Sequence, residues 1–143
     1  MTTSRRLLIL IGLFGVFLLP ACSAPCEDSL GVYPPSHIVV IGIEAVEVPH
    51  ISWTCGDFHS DSMDPPPSVA PDPERRLQVH VTVEDESTVE VRFGNEAVTV
   101  DPAPVAGVNT WTFQVPDPSQ PMIVHICSAD QRCAMYWANT YSG

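Results

Sequence analysis

The chain has 143 residues and a formal net charge of −11 at pH 7, with six arginines and no lysine. This balance excludes a nucleic-acid-binding role, because phosphate backbones are held by clustered lysine and arginine side chains. It also argues against electrostatic attachment to an anionic membrane surface. The length is that of a single domain.

The amino terminus has the parts of a secretory signal. Arg5 and Arg6 precede an apolar run over 7–19, and small residues follow it. A membrane-spanning helix needs about 20 apolar residues, so this run is too short to serve as a permanent anchor. The segment therefore predicts export followed by cleavage.

The end of this segment is Leu19-Pro20-Ala21-Cys22. It resembles the lipobox of bacterial lipoproteins, with leucine three residues before the cysteine and alanine directly before it. The resemblance implies that the Cys22 thiol receives a diacylglycerol and that a peptidase cuts on its amino side. Cleavage after Ala24 is the alternative, which Pro25 disfavours because its ring suits a peptidase poorly.

The predicted organisation is a signal peptide over 1–21, a lipidated tether over 22–36 and a domain over 37–143. The mature chain would face away from the cytoplasm, held at the cell membrane by its lipid. Two acyl chains are sufficient for stable attachment, whereas one chain gives marginal binding.

Four cysteines remain once Cys22 is assigned to lipid. An even number in an exported chain predicts two disulfides. The favoured pairing joins Cys127 to Cys133 around a short loop, and Cys26 to Cys55, with the two crossed pairings as alternatives. A zinc site is disfavoured because the sequence contains no pair of cysteines separated by two residues.

The mature sequence has strand patterns and almost no helical spacing. Runs of valine, isoleucine, threonine and aromatic residues recur between proline, glycine, asparagine and aspartate, as expected of β-strands. We predict an all-β domain, an immunoglobulin-like or other Greek-key β-sandwich of seven to eight short strands, with a small barrel as the alternative. The predicted strands are 37–43 continued by 45–48, 51–55, 77–83, 89–93, 97–100, 108–115, 122–127 and 133–138.

Residues 56–76 are rich in proline and acids and predict a long irregular loop. Within it, Asp57, His59 and Asp61 are candidate ligands for a divalent metal. Carboxylate oxygens suit calcium, and an added imidazole suits copper or zinc. The spacing matches no calcium-loop motif, so a solvated loop is the alternative, and no other cofactor is predicted.

Two histidines give a second metal hypothesis. His80 and His125 lie in predicted strands and would meet if those strands pair, with Met63 or a loop carboxylate completing the ligands. The alternative is a pair of ordinary surface or hydrogen-bonded histidines.

The carboxyl end carries uncharged aromatic residues. Tyr136 and Tyr141 are candidates for an exposed contact patch, since tyrosine is a favoured interface anchor. We favour a last strand that packs Met135 and Trp137 into the core, with the contact patch as the alternative.

No catalytic motif is present: the sequence lacks a Gly-x-Ser-x-Gly elbow, a His-Glu-x-x-His helix and a phosphate-binding glycine loop. We therefore predict no enzyme. The leading hypothesis is a non-catalytic binding or structural domain of the cell envelope, with a protein or cell-wall partner. A metal-binding lipoprotein is the alternative.

Overall fold

The computed structural model describes residues 27–28, 31–32, 35–62 and 64–140. The predicted signal peptide, the lipidation site Cys22, and Cys26, Met63 and Tyr141 lie outside the described residues.

Thirteen β-strands make up the regular structure of the described chain, which contains no helix. None of the described residues therefore forms a helix that could cross a membrane. The strands are β1 Glu27–Asp28, β2 Gly31–Val32, β3 Ile38–Ile41, β4 Val46–Val48, β5 His50–Cys55, β6 Phe58–Asp61, β7 Ser68–Val69, β8 Arg76–Val83, β9 Thr88–Phe93, β10 Glu96–Val98, β11 Gly107–Gln114, β12 Met122–Cys127 and β13 Arg132–Thr140.

The strands form two main sheets. The larger sheet has the order β10-β9-β12-β13-β5-β6, all antiparallel, and β7 adds to β13 in parallel. The smaller sheet has the order β11-β8-β3-β4, also antiparallel. β1 and β2 form a separate hairpin. The predicted all-β class, built on antiparallel sheets, is confirmed.

One hydrophobic core lies between the two sheets, because alternate side chains of each strand point inward. Along β8, Leu77, Val79, Val81 and Val83 are at most 1% exposed. Phe113 of the smaller sheet meets Phe93 of the larger sheet edge to face, with ring centroids 6.4 Å apart. Each such side chain contributes about 1.5–3 kcal/mol when fully buried.

A buried asparagine holds the loop over 99–106 against the smaller sheet. Asn109 is 7% exposed, and its Nδ2 donates to the Val105 carbonyl over 2.7 Å while its Oδ1 accepts from the Val105 N–H over 2.8 Å. Trp111 Nε1 donates to the Pro102 carbonyl over 2.8 Å. Two inward side chains of β11 thereby hold this loop in place beside the core.

The prediction of one irregular loop over 56–76 was wrong in part, because β6 and β7 lie inside it. Gly56 has a φ of +57°, which glycine adopts freely, and the chain turns back so that Phe58 pairs with Cys55. The Phe58 ring then contacts the Trp53 ring in a tilted arrangement, with centroids 4.9 Å apart. The sequence pattern does not indicate β6, because only one of its four residues is apolar.

The inward face of β13 is the opposite of the predicted one. Tyr136 is 2% exposed, whereas Trp137 is 36% exposed and Met135 points to the outer surface. Large apolar residues occupy both faces of this strand, so alternation alone does not decide between them. The small Ala134 and Ala138 flank Tyr136 on the inward face and leave room for its ring.

Candidate functional site

The outer face of the larger sheet gathers most of the residues with metal-binding chemistry. We use this name for the side chains of β9, β12, β13, β5 and β6 that point away from the core. Strand register sets Cys127 opposite Cys133 and His125 opposite Met135. On the other side of β12, Glu90 lies opposite His125.

Three of these side chains converge. The donor atoms of His125, Cys127 and Cys133 all lie within 4.8 Å of one another, and His125 Nε2 is 3.9 Å from Cys127 Sγ. All three residues are half-buried. We call them the His–Cys–Cys cluster. In the part of the chain that the structure describes, it is the only place where three histidine, cysteine or acidic side chains meet at this spacing.

The two cysteines of the cluster are bonded to each other. The predicted disulfide Cys127–Cys133 is confirmed, with a Cα–Cα distance of 4.0 Å across paired strands. Cys55 is also disulfide-bonded, and its partner is not among the described residues. The predicted pairing of Cys26 with Cys55 therefore stays a prediction.

The predicted loop ligands come together only in part. His59 Nε2 and Asp61 Oδ1 are 2.9 Å apart on the edge strand β6, and both side chains are exposed. Asp57 lies exposed in the preceding turn, outside this pair. An exposed pair of this kind is worth at most about 1 kcal/mol. His59 and Asp61 offer a metal two adjacent donors.

His80 and His125 do not meet, which contradicts the second metal hypothesis. His80 lies on β8 of the smaller sheet and His125 on β12 of the larger sheet, so they point to opposite surfaces of the domain. His80 Nδ1 is instead 2.8 Å from Thr110 Oγ1 on the neighbouring strand.

Tyr136 does not form the predicted exposed contact patch, because it is buried. Its hydroxyl donates to the His37 carbonyl over 3.3 Å, and burial raises the pKa of Tyr136 above its usual range. His37 Nε2 is 2.6 Å from Ser128 Oγ, and burial lowers the pKa of His37 despite the nearby Asp85 and Asp130. These contacts bind the start of the domain to the β12–β13 turn.

A groove of about 540 Å³ opens where the turn after β3 faces the segment over 68–73. Asp72 builds one wall. Its Oδ1 accepts the Arg76 N–H over 2.7 Å and the Glu74 N–H over 2.9 Å. These bonds, led by the one from the Arg76 N–H, hold the pKa of Asp72 below its usual range. Arg76 is already paired with both Asp72 and Glu74, so the described lining of the groove offers no unpaired cation to an anionic ligand.

The middle of the smaller sheet's outer surface carries no charged side chain, between the exposed Glu47 of β4 and the exposed Arg76 at the start of β8. We call it the uncharged face, and it includes Val108 at 69% and Ile38 at 45% exposure. It is formed by outward side chains of three neighbouring strands, Ile38 and Val40 of β3, Gln78, His80 and Thr82 of β8, and Val108, Thr110 and Thr112 of β11.

One of the two edge strands of this sheet is β11. It pairs with β8 over eight residues without a bulge, and it contains no charged residue and no proline. The other three edge strands of the two sheets each carry acid: Glu47 in β4, Asp61 in β6 and Glu96 in β10. Charges on edge strands discourage pairing with other chains, and β11 lacks this protection.

Two of these features were missed in the sequence. In His125-Ile126-Cys127, the histidine and the cysteine are two residues apart and therefore lie on one face of a strand. The sequence alone could have indicated this pair of donors. The position of Met135 opposite His125 needs the strand register. A strand over 108–115 was predicted and β11 lies within one residue of it, but its place at a sheet edge follows only from the topology. Comparison of the chain with protein-family models, curated proteins and solved structures found no match.

Proposed function

We propose that this chain is a lipid-anchored extracytoplasmic lipoprotein whose domain binds a protein partner through β11 and does not catalyse a reaction. The observation that carries the proposal is the uncharged, unbulged edge of β11 beside the uncharged face, in a chain whose net charge is −11. Acidic surfaces elsewhere on the domain repel other acidic chains, whereas the cores of protein interfaces are depleted of charge.

The mode of binding proposed is strand addition. An extended segment of the partner would pair with the outward backbone groups of β11, and its side chains would pack on Val108, Thr110 and Thr112. Main-chain hydrogen bonds supply affinity in this mode, and the alternate side chains supply specificity. The exposed Val105, at 62% exposure, extends the apolar surface beyond the start of β11.

Anchoring is proposed from the sequence, through lipid on Cys22. The test is metabolic labelling of the full chain with an alkyne-tagged fatty acid in a bacterial host, followed by membrane fractionation. We expect label in the wild-type protein and none in Cys22→Ala. Labelling of Cys22→Ala at the wild-type level would contradict the assignment.

Binding is tested with a photo-crosslinking amino acid in the membrane-anchored protein, at position 108 or, as the control, at position 97 on the acidic edge β10. We expect a discrete adduct only from position 108, and its loss when Thr112→Glu is added. The control substitution Ala97→Glu should leave the adduct intact. Equal adducts from both positions, or an adduct that survives Thr112→Glu, would overturn the proposal. An adduct of twice the chain mass would make the partner a second copy.

We also propose the finer fold assignment, an immunoglobulin-like or other Greek-key sandwich with a second disulfide between Cys26 and Cys55. The paired state of Cys55 supports this pairing, because Cys127 and Cys133 bond to each other and Cys22 is assigned to lipid. Peptide mapping by mass spectrometry without reductant tests it. A linked peptide that contains Cys22 and Cys55 would contradict it.

A metal-binding role is the second candidate function, and the His–Cys–Cys cluster favours it. The ligands differ from those predicted on the loop, because His59 and Asp61 are exposed and supply only two adjacent donors. Unchanged metal affinity in His59→Ala/Asp61→Ala is therefore expected.

A further inference from the structure

The His–Cys–Cys cluster combines ligand types that suit one class of metal. Two thiolates and a neutral imidazole are soft or borderline donors, and such sets favour monovalent copper or zinc over calcium and magnesium. Met135 lies directly across from His125 and brings a thioether to the same face. A thioether is a ligand for monovalent copper and a poor one for zinc. The set therefore favours copper.

The carboxylate beside the cluster is already engaged. Glu90 lies opposite His125 in the strand register, but its Oε1 is 3.1 Å from Arg92 Nε in an exposed ion pair. Among the described residues directly opposite His125, the remaining donor is therefore the sulfur of Met135. Hard cations prefer oxygen ligands, so these surroundings disfavour calcium and magnesium.

The spacing fits a metal only when the disulfide is open. Metal–nitrogen and metal–thiolate bonds of about 2.0 and 2.3 Å place two ligand atoms about 3.5–4 Å apart, as for the 3.9 Å between His125 Nε2 and Cys127 Sγ. The two sulfurs, bonded to each other, are too close and carry no thiolate. Reduction removes this restriction while the paired strands keep both side chains on one face.

We propose that the Cys127–Cys133 hairpin is a redox-controlled site for monovalent copper, with His125 as the third ligand and Met135 beside it. A dithiol reductant transfers two electrons and two protons to the disulfide and is itself oxidised to a disulfide. The sulfur–sulfur bond breaks, and two thiols form. Copper(I) then replaces the thiol protons, which pass to solvent, and binds the two sulfurs and the imidazole. Reoxidation of the two thiolates, with a disulfide as the electron acceptor, releases the metal.

The test is a copper(I) competition titration on the full chain in detergent, with the copper(I) complex of bicinchoninate as the probe. Oxidised protein is compared with protein reduced by a phosphine that is then removed. We expect reduced protein to withdraw one more equivalent of copper from the probe than oxidised protein does, with a new near-ultraviolet thiolate-to-copper absorption.

Variants separate this site from the other cysteines. Cys127→Ala/Cys133→Ala should lose the added equivalent, while Cys55→Ala should keep it. His125→Ala should weaken copper affinity by roughly tenfold or more, because even partners of ligands contribute that much. His80→Ala, on the opposite surface, is the matched control and should match wild type.

Three results would overturn the proposal. The first is equal copper uptake by reduced wild type and reduced Cys127→Ala/Cys133→Ala, with circular dichroism showing both folded. The second is equal uptake by oxidised and reduced wild type. The third is displacement of the copper by equimolar zinc, which would assign the site to another metal. None of these results bears on the crosslinking test of β11.

Discussion

Replacement of both cysteines of the hairpin, Cys127→Ala/Cys133→Ala, should destabilise the domain by about 2 kcal/mol and leave it folded. The disulfide closes a short loop, since its two cysteines are six residues apart. With about seven residues in the loop, the lost chain entropy is about 8 cal/mol/K, or about 2.4 kcal/mol at 25 °C. Domains of this size have free energies of unfolding of about 5–15 kcal/mol, so most of the folded population survives.

The assay is urea denaturation at pH 7, followed by tryptophan fluorescence. Trp53 and Trp111 are buried, at 7% and 4% exposure, and should report the loss of the core. The midpoint should fall, and the slope with urea should rise slightly, because the unfolded chain is less compact without the disulfide. Thr88→Ala, on the exposed position of β9 opposite Cys127, is the control for strand surface changes.

Two outcomes would refute this reasoning. A loss below about 0.5 kcal/mol would mean that the strand pairing alone already restricts the open chain as much as the disulfide does. An unfolded double variant would mean that the disulfide stabilises the native sheet itself, beyond loop closure. The second outcome would also remove the premise that reduced protein keeps its ligands on one face.

Asn109→Ala should lower the free energy of unfolding by about 2–4 kcal/mol in urea denaturation, because a buried side chain with two short hydrogen bonds is lost and its partners stay unsatisfied. Thr112→Ala, at an exposed position, is the control, and an equal loss in both variants would contradict the expectation. His37→Gln should make the free energy of unfolding depend less on pH at acidic pH. Burial lowers the folded-state pKa of His37, so the unfolded chain takes up its proton first and stability falls as pH drops below about 6.5; an unchanged slope would refute this. Gly42→Ala should cost about 2 kcal/mol, because its φ is +78° and an added Cβ would lie 2.9 Å from Val69 Cγ1. An unchanged urea midpoint would contradict this expectation.

The sequence predicted most of the strands because their pattern is local. Along 77–83 every second residue is a large aliphatic, so the burial of Leu77 and Val79 follows from the period of two. The same reasoning failed on β13, where both faces are apolar. There Tyr136 points inward beside the small Ala134 and Ala138, and Trp137 points outward. The alternation of apolar residues does not make this choice.

The candidate sites were less predictable because they depend on register and sheet order. The disulfide Cys127–Cys133 was predictable, since a short loop between two strands sets its cysteines opposite each other. The separation of His80 from His125 was not, because both are polar positions in similar strands. Only the assignment of β8 and β12 to different sheets separates them.

The position of β13 bears on the timing of folding. This strand is the last of the described strands along the chain, yet it lies between β12 and β5 in the larger sheet. Without it, that sheet is split into β10-β9-β12 on one side and β5-β6 on the other. A polypeptide that crosses a membrane amino terminus first would deliver the remaining strands before the one that joins them. On the proposed export route, the two parts of the larger sheet would stay unjoined until β13 arrived, and chaperones outside the cytoplasm would have that interval to act.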